Sequence, residues 1–122
     1  MPDPQPCVLV VDDDAPTVEL LAELFADEGY AVRTAKDVGS ALASEARERA
    51  DVIVLDLLLP DQDGTVFVER YRAGGGGAPI VVLSAARDAA RRAAAIGSPL
   101  ISKPFEVRDL LETVRQAVER SR

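Results

Sequence analysis

Apolar residues in this chain fall into short continuous runs, separated by longer stretches in which they recur every three or four positions. Residues 52–55 (Val-Ile-Val-Leu) are the plainest run. Four apolar, mostly β-branched residues are too few for a helix and read as a strand buried on both faces of a sheet. Residues 7–11 (Cys-Val-Leu-Val-Val) and 79–84 (Pro-Ile-Val-Val-Leu-Ser) are similar, and residues 30–34 and 100–102 are shorter versions. Between them the spacing turns helical. Pro16 suits a first turn, Val18, Leu21, Ala22 and Phe25 share one face, and Gly29 supplies the stop. Asp37 can cap a helix reaching about residue 48, with Val38, Ala41, Leu42 and Ala46 turned inward. Residues 64–72 predict a third helix, packed through Val66, Phe67 and Tyr71. The alanine-rich residues 87–96 predict a fourth, whose weak apolar face makes it the loosest element. The last helix, over residues 106–120, carries the clearest stripe: Val107, Leu110, Leu111, Val114, Ala117 and Val118.

Five strands alternating with five helices, without an internal repeat, predict an α/β fold. Its sheet is parallel and doubly wound, with right-handed crossovers and helices on both faces. All the strands' carboxyl ends then lie along one edge, and open α/β sheets bind ligands in the crevice outside it. Asp12, Asp13 and Asp14 follow the first strand and Asp56 the third, Ser84 closes the fourth, and Lys103 follows the fifth.

Composition narrows the use of that edge. A net charge of −7 argues against direct nucleic-acid binding, which needs a basic patch. Only Lys36 and Lys103 among the 14 basic residues are lysines, so a lysine at a strand end stands out. Histidine is absent, which removes the commonest general base and metal ligand, and any phosphohistidine carried by this chain. Cys7 is the sole cysteine and reads as a small buried apolar residue; without an internal disulfide, the chain fits a reducing compartment. The four glycines at 74–77 read as a flexible connector, lacking the context of a phosphate-binding loop. The start has no signal-peptide character and no apolar run is long enough to span a membrane. The expectation is one cytoplasmic domain over residues 1–122, with a disordered tail at 1–6 and no output domain.

Three carboxylates crowded at one edge repel one another unless a cation joins them. Oxygen-only donors in a solvated crevice suit Mg²⁺. Each residue also has an ordinary structural use: an aspartate caps a loop, a serine closes a turn, a lysine is solvated. Asp61 and Asp63 read as turn-shaping residues, and Asp14 as serving the helix start that follows it.

Four stretches in order change the weighing: Val-Val-Asp-Asp (10–13), Asp-x-x-x-Pro-x-x-Asp-Gly (56–64), Val-Leu-Ser-Ala (82–85) and Lys-Pro-Phe (103–105). Over essentially its whole length the chain resembles the receiver domain of two-component response regulators. The resemblance implies a flavodoxin-like (βα)5 fold and a signalling role rather than an enzyme. It implies that Asp56 takes a phosphoryl group from a phosphohistidine donor with Mg²⁺, assisted by Lys103 and Ser84. Asp13 and Asp56 then hold the metal directly, Asp12 through water, and Leu58 through its backbone carbonyl. A cis peptide before Pro104 aims Lys103 into the site. The implied donor is a sensor histidine kinase or phosphotransfer protein. The implied output is a downstream protein target, a fused output domain or a phosphorylation-dependent homodimer, reached through the face of the last two helices.

Some positions depart from the family pattern. Leu100 stands where many members carry an aromatic residue that swings inward, so a switch built on Ser84 and Leu100 works without an aromatic rotamer. The spacing from Gly97 to Lys103 is one residue shorter than usual. Leu58 and Ala86, at positions that tune phosphate lifetime in the family, are apolar and cannot position an attacking water, so phosphate loss should be slow. Three other readings compete. A haloacid-dehalogenase-like phosphatase needs Asp-x-Asp at its nucleophile, but Leu57 and Leu58 follow Asp56. A flavin-binding module needs a phosphate-cradling loop where the three aspartates stand. A degenerate receiver acting as a scaffold would lack some of the chemical residues, and all are present.

Overall fold

Alternate side chains of each central strand enter two different cores, which is why the strand sequences read as apolar without interruption. The computed structural model of the chain describes residues 5–121. Strands β1 (Cys7–Val11), β2 (Ala31–Ala35), β3 (Val52–Leu55), β4 (Ile80–Ser84) and β5 (Leu100–Ser102) form one parallel sheet in the order β2-β1-β3-β4-β5. Val8, Val10, Val52 and Val54 pack with Leu21 and Phe25 of α1 (Ala15–Asp27) and with Leu110, Val114 and Val118 of α5 (Val107–Arg120). Leu9, Val11, Ile53 and Leu55 face the other way. They meet α2 (Val38–Arg47), α3 (Gly64–Ala73) and α4 (Ala89–Ala95) through Val38, Phe67, Val68 and Ala93. This is the doubly wound flavodoxin-like fold. Burying each large core side chain contributes about 1.5–3 kcal/mol.

Parallel register brings the strand ends together. Val11 lies beside both Ala35 and Leu55, Leu55 beside Val82, and Ser84 beside Ser102. Three helices start on aspartate caps: Asp14 accepts the Thr17 N–H, Asp37 the Ser40 N–H, and Asp63 the Thr65 N–H. Such a cap stabilises its helix by about 1 kcal/mol. Gly29, at φ 93°, makes the left-handed turn that leads from α1 into β2.

Details differ from the periodicity. Strand β2 begins and ends one residue later than residues 30–34, and α4 is shorter than residues 87–96. Ala46 is exposed, whereas Ser44 and Glu45 are buried on α2. The cause is Arg33 on β2, which donates to Ser44 Oγ at 2.6 Å and to Glu45 Oε2 at 3.0 Å. A charged side chain lies inside because its partner reaches it from another element. Val107, first residue of the α5 stripe, is exposed. Cys7 is buried as expected, with its Sγ 3.5 Å from Arg33 Nε. Of the tail expected over residues 1–6, residues 1–4 lie outside the described range; the Pro6 carbonyl accepts the Ala31 N–H at 2.9 Å. No described helix is long and apolar enough to cross a membrane.

Candidate functional site

The acidic edge is built from three strand ends and closed by a fourth. Asp12 directly follows β1, and its N–H is held by the Ala35 carbonyl at 3.0 Å. Asp56 follows β3, its N–H donating to the Val11 carbonyl at 2.9 Å. The ladder thus extends past the strands and sets the two aspartates side by side. Asp12 and Asp56 are 2% and 6% exposed, while Asp13 faces solvent. One carboxylate oxygen from each of Asp12, Asp13 and Asp56 lies within 4.8 Å of the others.

Lys103 enters from the far side. Its N–H donates to the Ser84 carbonyl at 3.1 Å, continuing the β4–β5 pairing, and the Lys103–Pro104 peptide is cis as expected. The ammonium donates to Asp12 Oδ2 at 2.7 Å and Asp56 Oδ2 at 2.9 Å. Partial burial disfavours that charge, but hydrogen bonds to Asp12 and Asp56 outweigh it and raise the Lys103 pKa above the ordinary lysine value. The other oxygen, Asp56 Oδ1, accepts the Ser84 hydroxyl and the Leu58 N–H, each at 3.0 Å. The Lys103 ammonium, the Ser84 hydroxyl and the Leu58 N–H therefore meet at one carboxylate.

Gly64 explains the tight course of the loop between β3 and α3. A Cβ there would lie 2.6 Å from the Asp56 carbonyl oxygen and 2.8 Å from Leu57 Cα, both backbone atoms with nowhere to move. Leu58 pairs with Asp63 across the same loop and is 54% exposed at the rim. Leu100 is half-buried against the α2–α3–α4 core. A cleft of about 440 Å³ adjoins the acidic edge, lined in part by Asp12, Asp13, Val18 and Lys36. A larger groove of about 760 Å³ between α5 and the start of β2 contains none of the site residues.

Asp61 and Asp63 have roles that composition alone did not show. The Asp61 carboxylate accepts the Val38 and Gly39 N–H groups, fastening the loop to the start of α2, and the Val38 bond foremost lowers its pKa. Asp63 caps α3 and also pairs with Arg92 of α4. Both residues shape the turn, as expected, and both tie it to a neighbouring helix. Asp14 serves the start of α1.

Residues 8–115 match the family described as Response regulator receiver domain. The chain belongs to this family. It is 34% identical over 117 residues to the Probable transcriptional regulatory protein TcrX of Mycobacterium tuberculosis, covering 93% of this chain and 50% of that protein. It is also 34% identical over 118 residues to Response regulator MprA of Mycobacterium leprae, covering 94% and 52%. The receiver thus spans about half the length of these curated relatives. Among solved structures, the Francisella response regulator 1452 receiver domain superposes with a TM-score of 0.88 at 28% identity, covering 97% of this chain and 100% of that one. Vibrio cholerae chemotaxis protein CheY4 gives 0.84 at 30% identity, covering 93% and 99%. This receiver is a signalling module with an acidic pocket of Asp12, Asp13 and Asp56 closed by Lys103. Neither the phosphatase nor the flavin reading fits that membership.

Proposed function

We propose that this receiver is a phosphoacceptor and that Asp56 is the residue phosphorylated. The carrying observation is the Asp56 carboxylate itself, held by Lys103 on one oxygen and by Ser84 and Leu58 on the other. A nucleophile so fixed is oriented before the donor arrives, which is where much of the rate of phosphoryl transfer originates.

Three oxygen donors within reach of one another, beside a solvent-open cleft, fit Mg²⁺. Asp13 and Asp56 would hold it directly and the Leu58 carbonyl would complete the protein's donors. Asp12 would act through water, as the resemblance to the family implies. When bound, Mg²⁺ supplies positive charge to the phosphoryl oxygens. Asp56 attacks the phosphoryl group in line, forming an O–P bond as the donor's bond to phosphorus breaks. Lys103, already charged, offsets the charge that develops on phosphoryl oxygens. Ser84 turns its hydroxyl from Asp56 to one of those oxygens. Residues 1–122 hold no histidine, so a phosphohistidine donor lies outside them, in this reading on a sensor histidine kinase or a phosphotransfer protein. The output is a change at the face of α4, β5 and α5, read by a protein target, a fused output domain or a second copy of the receiver.

Incubation with acetyl phosphate, with and without Mg²⁺, followed by intact mass, tests this reading. A Mg²⁺-dependent gain of one phosphoryl group is expected. No adduct under any condition would leave the scaffold reading in its place.

A further inference from the structure

Helix α4 is poorly anchored by its own sequence. It has seven residues, buries only Ala89 and Ala93, and its cap residue Asp88 makes no side-chain capping bond. Two arginine contacts hold it instead. At one end Arg72 of α3 donates to the Ile96 carbonyl at 2.8 Å. One turn earlier, the Arg92 guanidinium pairs with Asp63, on the loop after Asp56, as well as with Asp88 at the start of its own helix. Arg92 is 18% exposed and Asp63 47%, so the pair is sheltered from solvent on the arginine side alone.

That second contact connects with the acceptor carboxylate. Asp56 Oδ1 accepts the Leu58 N–H, Leu58 pairs with Asp63, and Asp63 holds Arg92. A second route reaches α4 from the β4 side. Ser84 Oγ donates to Asp56 Oδ1 and accepts the Ala86 N–H at 3.2 Å, and the Ala86 carbonyl accepts the Ala89 N–H of α4. Neither route passes through Leu100. If Ser84 turns to a phosphoryl oxygen, Ala86 and the start of α4 are drawn with it while Asp63 still holds Arg92. The two routes then pull against each other.

We infer that the Asp63–Arg92 ion pair is a latch that keeps α4 in its resting place, and that phosphorylation of Asp56 works by overcoming it. The inference rests on the phosphoacceptor reading above. Arg92 and Asp63 are positioning residues here, since neither touches the phosphoryl group. By linkage, releasing the latch and phosphorylating Asp56 favour each other by the same factor.

Hydrogen exchange over residues 87–97, before and after acetyl phosphate with Mg²⁺, tests the latch, with intact mass taken on the same samples. Arg92→Gln should speed exchange in the unphosphorylated protein about fivefold, the upper end for an ion pair of this kind. Asp63→Asn, which keeps a capping side chain on α3, should do the same. In both variants the further increase on phosphorylation should shrink. Arg72→Gln serves as the control: it loosens α4 at its C-cap without touching Asp63 and should leave the phosphorylation-dependent increase intact. Wild-type exchange in Arg92→Gln, or an undiminished increase on phosphorylation, overturns the latch while the mass adduct still upholds Asp56. Absence of the adduct in the wild type defeats the phosphoacceptor reading and the latch together.

Discussion

The Lys103 ammonium lies 2.7 Å from Asp12 Oδ2, across 91 residues of chain. The contact exists because β1 and the segment after β5 deliver their residues to the same sheet edge, and it leaves the ammonium able to reach Asp56 as well. Removing that cation leaves two buried carboxylates facing each other. Lys103→Met should therefore lower stability of the metal-free protein by about 1–3 kcal/mol, with added Mg²⁺ restoring much of it. Urea unfolding with and without Mg²⁺ measures both effects. The pH dependence has a definite sign. The folded state holds the Lys103 proton more tightly than the unfolded chain, so its stabilisation is complete below the ordinary value of 10.5. It fades as pH rises through the higher folded value, and the methionine variant should lack this alkaline component.

Gly64 makes a second test. An added methyl meets backbone at Asp56 and Leu57, so Gly64→Ala should cost about 1–3 kcal/mol and shift the acceptor aspartate. Acceptance of phosphoryl from acetyl phosphate should fall further than stability alone explains. Wild-type phosphorylation in a folded Gly64→Ala protein would show that the close approach is not needed for the chemistry.

Away from the site, Arg33 and Glu45 form a largely buried pair, with Glu45 also accepting the Ala50 N–H. Glu45→Ala leaves the Arg33 charge without its carboxylate and should cost about 3 kcal/mol. Equilibrium unfolding reads this directly, and phosphorylation should proceed normally in the folded fraction.

Much of this was legible in the sequence, and for identifiable reasons. The run at residues 52–55 matched β3 because a strand buried on both faces has no polar position to confuse the pattern. Asp12, Asp56, Ser84 and Lys103 were found because parallel strands must bring their carboxyl ends together. Periodicity failed at Glu45, where a charge is buried only because Arg33 comes from another strand. It also could not foresee the pairing of Asp63 with Arg92, since α4 carries few apolar residues and nothing in their spacing sets where the helix docks. Contacts between charged side chains on different elements leave no periodic trace.

Phosphate lifetime bears on the apolar rim. Leu58 and Ala86 offer no polar side chain to hold an attacking water, so the phosphorylated receiver should lose its phosphate slowly with Mg²⁺ present. Leu58→Gln, at an exposed position, should shorten the lifetime without harming stability. Decay of the intact-mass adduct follows this, and a wild-type half-life of only seconds would overturn the expectation.

The central claim is that the phosphoryl group rests on Asp56. An acyl phosphate is reduced by borohydride whereas a free carboxylate is not, so treatment after acetyl phosphate and Mg²⁺ marks the acceptor as homoserine. Peptide mass spectrometry should place that mark at Asp56, and Asp56→Asn should carry none. A mark at Asp12, Asp13 or another carboxylate in the wild type would contradict the assignment, as would an undiminished adduct in Asp56→Asn.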